Sequence, residues 1–250
     1  PNEIDEWLLS KSSTVNDLIW YLEIDIQNHI PAECTIKYDN IERKIKIKED
    51  LKLEGGAGSC LTISNSGYWL RISNSCLEKT FDISCDEDFI TTLLYQKNNG
   101  NTIYVSDNTN SASSLGTTTE KVNVKCLKTS TVCDYEGTLW AALALNKNGN
   151  DINAFIPYLI ALAEDNKKFF PSSFLYLLTG GEDQYNEIVQ SQKQGKYWEV
   201  TASPYKRFYD SSLGMLALGG GSPDVESVKI YLLSIQPKEG CWNNNNIRDS

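Results

Sequence analysis

Histidine is almost absent from this chain: His29 stands alone in 250 residues. Ser-His-Asp and Cys-His catalytic arrangements would have to be built on it, and no motif surrounds it. A zinc site of the usual spacing is disfavoured too, because none of the seven cysteines sits in a Cys-x-x-Cys pair. Long apolar runs are missing. The longest candidate, Phe155 to Ala163, is interrupted by Pro157 and falls far short of the roughly 20 residues that cross a bilayer. Positive charge is scarce, with 23 Lys and Arg against 33 Asp and Glu and a net charge of -10. A phosphate backbone is a poor partner for that balance, so nucleic acid is not expected. Glycine-rich stretches occur at Gly55-Gly56-Ala57-Gly58 and Gly219-Gly220-Gly221, but neither leads into the Lys-Ser/Thr of a phosphate loop. The opening Pro1-Asn2-Glu3-Ile4-Asp5 is polar and acidic. It reads as the start of a cytosolic protein or of a mature or trimmed chain.

What is present is globular. Apolar residues make up 40% and aromatic residues 10%, enough for one large domain or two smaller ones. Six of the seven cysteines, Cys34, Cys60, Cys76, Cys85, Cys126 and Cys133, lie in the first 133 residues. Disulfides in an oxidising compartment are the preferred reading; buried thiols in a cytosolic protein are the alternative. Cys126 and Cys133 bracket a polar Lys-Thr-Ser-Thr loop and are expected to pair. The four earlier cysteines allow three pairings, and Cys241 is left over.

Four regions follow from pattern. Residues 1–30 are an N-terminal helical segment, with Ile4, Trp7, Leu8 and then Val15, Leu18, Ile19 and Leu22 at helical spacing. Residues 31–105 are an antiparallel β-module carrying cysteines. Arg43 to Lys48 alternates as a half-buried strand does, and Asp39-Asn40 is a hairpin turn. Residues 106–133 are a polar linker built from Ser, Thr, Asn and Gly. Residues 134–250 are helical. There, short apolar helices (Leu139 to Leu145, Phe174 to Leu178, Leu213 to Leu218) alternate with amphipathic ones (Ile152 to Glu164, Glu182 to Gln194, Asp224 to Gln236). The expected class is α+β with a C-terminal α/α toroid-like repeat.

Within that last region, Trp198 and Trp242 are 44 residues apart, a spacing that suits a two-helix repeat. The stretch Gln236-Pro-Lys-Glu-Gly240-Cys-Trp242 resembles the QW repeat of the squalene cyclase and protein prenyltransferase superfamily. Gln192, Gly195 and Trp198 make a looser copy. The resemblance covers about the last 115 residues and implies an α/α toroid in which Gln and Trp lock a helix end to the next turn. Trp242 is then expected to be largely buried. No catalytic site comes with it: the Asp-x-Asp-Asp acid of class II terpene cyclases is missing, the single His lies outside the repeat, and Gly240-Cys241-Trp242-Asn243 lacks the Glu-Gln of the complement thioester motif. Ile247 to Ser250 repeats the entry to the helix at Tyr209, so the array is expected to be incomplete, with a missing segment or a second subunit at its open end.

No catalytic residue, metal ligand or cofactor is assigned. The densest acidic cluster, Asp86-Glu87-Asp88, could offer oxygens to Ca2+ but reads better as a solvated turn. The expected function is a non-catalytic structural or adhesive module of an extracellular or cell-surface protein. Its partner would be itself or another surface protein, with assembly into a layer or filament. The alternative is a carbohydrate-active or other enzyme using carboxylates such as Asp134, Asp210 and Asp249 at the toroid mouth.

Overall fold

The computed structural model describes residues 3–238 together with Gly240 and Trp242. The chain folds into two compact units, one of residues 14–125 and one of residues 1–13 with 126–250. In chain order the elements are α1 (Glu3–Ser10), β1 (Ser12–Thr14), β2 (Leu18–Ile26), β3 (Ala32–Tyr38), β4 (Ile41–Ile47), β5 (Leu53–Gly55), β6 (Leu61–Ile63) and β7 (Leu70–Ile72). Then come β8 (Thr80–Cys85), β9 (Phe89–Lys97), β10 (Ile103–Ala112), β11 (Thr118–Lys121), β12 (Lys125–Thr129) and β13 (Val132–Cys133). The helices α2 (Tyr135–Lys147), α3 (Ile156–Ala161), α4 (Pro171–Thr179), α5 (Glu182–Ser191), α6 (Lys206–Leu218) and α7 (Pro223–Ile235) complete the chain.

The first unit consists of two five-stranded antiparallel sheets, ordered β10-β9-β2-β7-β6 and β11-β8-β3-β4-β5. Alternation sets their buried faces. Leu18, Trp20, Leu22, Ile24 and Ile26 of β2 are buried, as are Cys34, Ile36 and Tyr38 of β3 and Phe81, Ile83 and Cys85 of β8. Tyr38 donates its hydroxyl to Ala57 O at 3.1 Å, which satisfies the one polar atom it buries. Glu120 of β11 is 3% exposed and accepts from the Thr91 hydroxyl at 2.6 Å and the Asn110 amide at 2.8 Å. The β3–β4 hairpin turns at Asp39-Asn40, with Asp39 in the left-handed region at φ 50°.

Two disulfides brace this unit. Cys34–Cys85 staples directly opposed residues of β3 and β8, and Cys60–Cys76 closes the β6–β7 hairpin with the 3-10 turn that follows it. The third, Cys126–Cys133, closes the β12–β13 hairpin as its spacing implies.

Several sequence expectations need correction. The apolar residues from Leu18 onward form strand β2, not a helix. Leu18 and Leu22 are four apart, a separation that fits both periods, and the nine-residue register of β2 against β9 decides for the strand. Residues 106–121 are not a linker: β10 and β11 run through them. The Thr and Asn side chains of β10 stay exposed because β10 lies at a sheet edge, where the backbone ladder to β9 does the ordering, whereas β11 buries Thr118 and Glu120. In α1 the helix exists, but Ile4 and Trp7 are exposed, and the buried residue is Asp5. Its carboxylate accepts from the amides of Asn148 at 2.8 Å and Asn150 at 3.0 Å.

The toroid reading is overturned. The protein is α+β, with thirteen strands in three antiparallel sheets, and no toroid repeat is present among the described residues. Its helices instead pack around α4, which contacts α2, α3, α5 and α6. The alternation that suggested two rings holds only in part: α4 buries Pro171 to Leu175 and α5 only Ile188, but α3, expected as an outer helix, buries Ile156, Tyr158, Leu159 and Ala161. A small bundle around one central helix produces that alternation as well as a ring does. The span expected as one helix from Ile152 to Glu164 is shorter, with Pro157 in the first turn of α3. The expectations for Cys241 and for Asn243 to Ser250, Asp249 and the open array end included, lie outside the described residues.

Candidate functional site

The QW-like residues form a helix-end clasp. After α5 the chain turns through Gln194 and Gly195, both at positive φ, and a bridge pairs Lys193 with Tyr197. Trp198 then inserts completely, 0% exposed, and its indole N–H donates to Ile188 O at 2.8 Å. Its backbone N–H donates to the Ser211 hydroxyl at 3.0 Å, and that hydroxyl donates back to Trp198 O at 3.2 Å. The indole lies on Gly214, where a Cβ would stand 2.7 Å from Cδ2 and Cε3 of the ring. Gln192 donates its amide to Asp224 O at 3.1 Å. In the other copy, the Gln236 amide donates to Gly240 O at 2.6 Å and the Trp242 indole to Leu232 O at 3.1 Å. Both indoles therefore reach a carbonyl ten residues earlier. Trp242 is only half-buried. Ser211 and Gly214 carry no signal in the repeat spacing; only their one-turn separation on α6 behind a small-residue stretch could have drawn notice.

The carboxylates weighed for catalysis are occupied locally. Asp134 caps α2, accepting from Gly137 N at 3.0 Å, while its other oxygen accepts from the Thr129 hydroxyl at 3.0 Å. Asp210 is 1% exposed and holds the loop before α6 through Val200 N at 2.9 Å and the Ser203 hydroxyl at 2.9 Å. Burial pushes the Asp210 carboxyl up to about 6, against those two hydrogen bonds, which lower it. The folded value lies above the ordinary 3.8, so the folded chain holds this proton more tightly than the unfolded one. Stability from this group is therefore greatest below about pH 4 and declines as pH rises toward about 6, by roughly 2–3 kcal/mol. Asp210→Asn should remove that decline, because an amide does not titrate; its single oxygen can still accept from Val200 N. Thermal melts of parent and variant between pH 4 and 7 check this; parallel curves would contradict it.

Among the described residues no group of three His, Cys, Asp or Glu side chains is placed to hold a metal ion. In the acidic cluster, Asp86 accepts from Glu33 N at 2.8 Å and Asp88 from Ser114 N at 2.8 Å, so both stabilise turns. His29 is exposed in a short 3-10 turn.

A groove of about 620 Å3 that could receive a partner lies on the β-sheet unit. Its apolar floor comes from Pro31, Ala32 and Ile47. Its walls come from β3, β4 and β5, from the turn between β4 and β5 and from Asp86 just after β8, and they carry five carboxylates (Glu33, Glu49, Asp50, Glu54, Asp86) against two ammonium groups (Lys46, Lys48). Most of these are internally paired. Glu33 meets Lys44 at 2.6 Å, Glu54 meets Lys48 at 3.6 Å, and Asp50 meets Lys52 at 3.2 Å. The Lys44 hydrogen bond and charge hold Glu33 below the usual carboxylate range, and the Lys52 backbone N–H and ammonium do the same for Asp50. Lys46 and Glu49 are both exposed. The groove thus offers an apolar strip lined by prearranged charges of both signs, suited to contact rather than to proton transfer. No single motif announced it, because its residues come from positions 31 to 86.

No family model matches this chain, and neither a curated protein nor a solved structure matches it.

Proposed function

We propose that this chain is a non-catalytic contact module of an extracellular or cell-surface protein, and that the β-unit groove is where a partner protein docks. The observation that carries this reading is the groove itself: a mixed-charge cleft of about 620 Å3 on a scaffold braced by two disulfides. Disulfides form and persist in oxidising compartments, which favours a secreted or surface location. Among the described residues no helix is long and apolar enough to cross a membrane. The occupied state of Asp134 and Asp210 supports a contact role over the carboxylate-enzyme alternative. Assembly into a layer or filament rested on the open end of a toroid, and it is not part of this reading.

The partner surface implied is one with an apolar segment flanked by charges of both signs. The test is a charge exchange, Lys46→Glu with Glu49→Lys, which preserves net charge. In binding assays against surface proteins of the source, the exchange should weaken the native partner on the order of tenfold or more, as mispaired charges do. Its melting temperature should fall modestly, because Lys46 lies opposite Glu33 and Glu54 in the sheet and a glutamate there costs on the order of 1 kcal/mol. Unchanged binding would place the contact elsewhere, and turnover of a substrate by the purified chain would end the non-catalytic reading.

A further inference from the structure

Glu120 of β11 is 3% exposed and holds its carboxylate against two neutral groups. The Thr91 hydroxyl donates to Oε1 at 2.6 Å, and the Asn110 amide donates to the same oxygen at 2.8 Å. A buried carboxylate is costly, and buried charges are ordinarily paired with an opposite one. Packing is a poor reason for placing a glutamate here.

The three side chains come from both sheets of the unit. Thr91 and Asn110 are directly opposed in the β9–β10 ladder, so they share a face, and the Cβ atoms of such pairs lie about 4.5–5.5 Å apart. Strand β11 belongs to the other sheet and sets Glu120 against both of them. A carboxylate only accepts, so the hydroxyl proton and an amide proton both point at Oε1. Acyl transfer needs this arrangement: a hydroxyl nucleophile, a base on its proton, and a carboxamide whose nitrogen lies against the same base. Thr91 is 0% exposed, which keeps bulk water from the hydroxyl. Asn110 is exposed at the sheet edge, which gives a leaving group its way out.

We infer that this cluster forms an intramolecular ester between Thr91 Oγ1 and Asn110 Cγ, with Glu120 as the catalytic residue. The carboxylate takes the Thr91 proton as the oxygen attacks the carboxamide carbon. The Cγ–Nδ2 bond then breaks, and Glu120 returns the proton to the departing nitrogen. One O–C bond replaces one C–N bond, one ammonia leaves, and the step needs no oxidant or co-reactant. An ester is less stable than an amide. The fixed cross-strand geometry and the dilution of ammonia into solvent offset that difference. The product ties edge strand β10 to β9 and closes residues 91 to 110 into a loop. The reaction happens once per chain, so it is independent of the groove and compatible with a module that turns over no substrate.

The test is mass spectrometry of the whole chain after full reduction of its disulfides. The parent should be lighter than its sequence by one ammonia. Trypsin cuts after Lys97, between the two residues, so the peptides Thr80–Lys97 and Asn98–Lys121 should travel as one species. Mild alkali, which hydrolyses esters and spares amides, should separate them. Thr91→Ala, Glu120→Gln and Asn110→Ala should each restore the full mass and give two free peptides. Asn110 is exposed, so its variant keeps the test valid where a buried replacement fails to fold. Thr92→Ala, whose hydroxyl meets Thr109 instead, should keep the cross-link. A parent at full mass with separate peptides overturns the proposal, as does a cross-link that survives Asn110→Ala or Glu120→Gln. Ammonia lost without joined peptides marks a succinimide at an asparagine and overturns it equally.

Discussion

Replacing Trp198 by alanine is expected to destabilise the helical unit by about 3–5 kcal/mol, the range for emptying a fully buried indole. Three losses combine. The ring is 0% exposed, so its removal opens a cavity that α5, α6 and the intervening loop must collapse around. Ile188 O loses the indole N–H that satisfies it at 2.8 Å. The ring also sets the position of the Trp198 backbone, whose N–H and carbonyl both meet the Ser211 hydroxyl. Gly214→Ala approaches the same contact from the other side, placing a methyl 2.7 Å from the ring. It should cost about 1–3 kcal/mol through overpacking. Denaturant melts followed by helical circular dichroism measure both. A Trp198→Ala variant within about 1 kcal/mol of the parent would show that the indole is not what closes this bundle.

The second large effect concerns Cys34–Cys85. Its sequence separation is 51, against 16 for Cys60–Cys76 and 7 for Cys126–Cys133. In the chain-entropy model, cross-linking the unfolded chain over such distances contributes about 4, 3 and 2 kcal/mol respectively. Substituting both cysteines of each pair by alanine should therefore rank the losses in that order. Burial reinforces the ranking: Cys34 is 0% and Cys85 1% exposed, and the two close one end of the β3–β8 ladder. Denaturation of the three double variants under non-reducing conditions tests it. Equal losses, or a greater loss for Cys126–Cys133, would contradict the unfolded-state account.

Local chemistry was legible in the residues, and assembly was not. Ile45 and Ile47 alternating with lysines announced β4, Asp39-Asn40 announced its hairpin turn, and seven residues of separation announced Cys126–Cys133. Pairing of Cys34 with Cys85 depends on β3 and β8 meeting in a sheet, which no spacing encodes. The apolar residues of β2 could be read at either period until a partner strand was known. The polar strands β10 and β11 hid for different reasons: β10 buries almost nothing, and what β11 buries is polar, Thr118 and Glu120, so neither carries a hydrophobic signature. The Gln and Trp residues suggested a toroid because each follows a helix, but side-chain hydrogen bonds at helix ends occur in any helix pair and do not imply a closed ring. The groove was invisible for a related reason: its floor and walls are drawn from separate elements.

The nesting of two disulfides in the β-sheet unit governs how a protease could act on it. Cys60–Cys76 lies wholly inside the span closed by Cys34–Cys85. A single cut at any peptide bond between residues 34 and 85 leaves both fragments covalently attached, the exposed Gly55-Gly56 step included. The nicked chain runs as one species on a non-reducing gel and separates only after reduction. Because the strands on either side remain tethered in register, a nicked molecule keeps the two sheets within reach of each other and can re-form them after transient opening. Damage in this region becomes permanent only when a second cut falls in the same loop or when the disulfide is itself reduced.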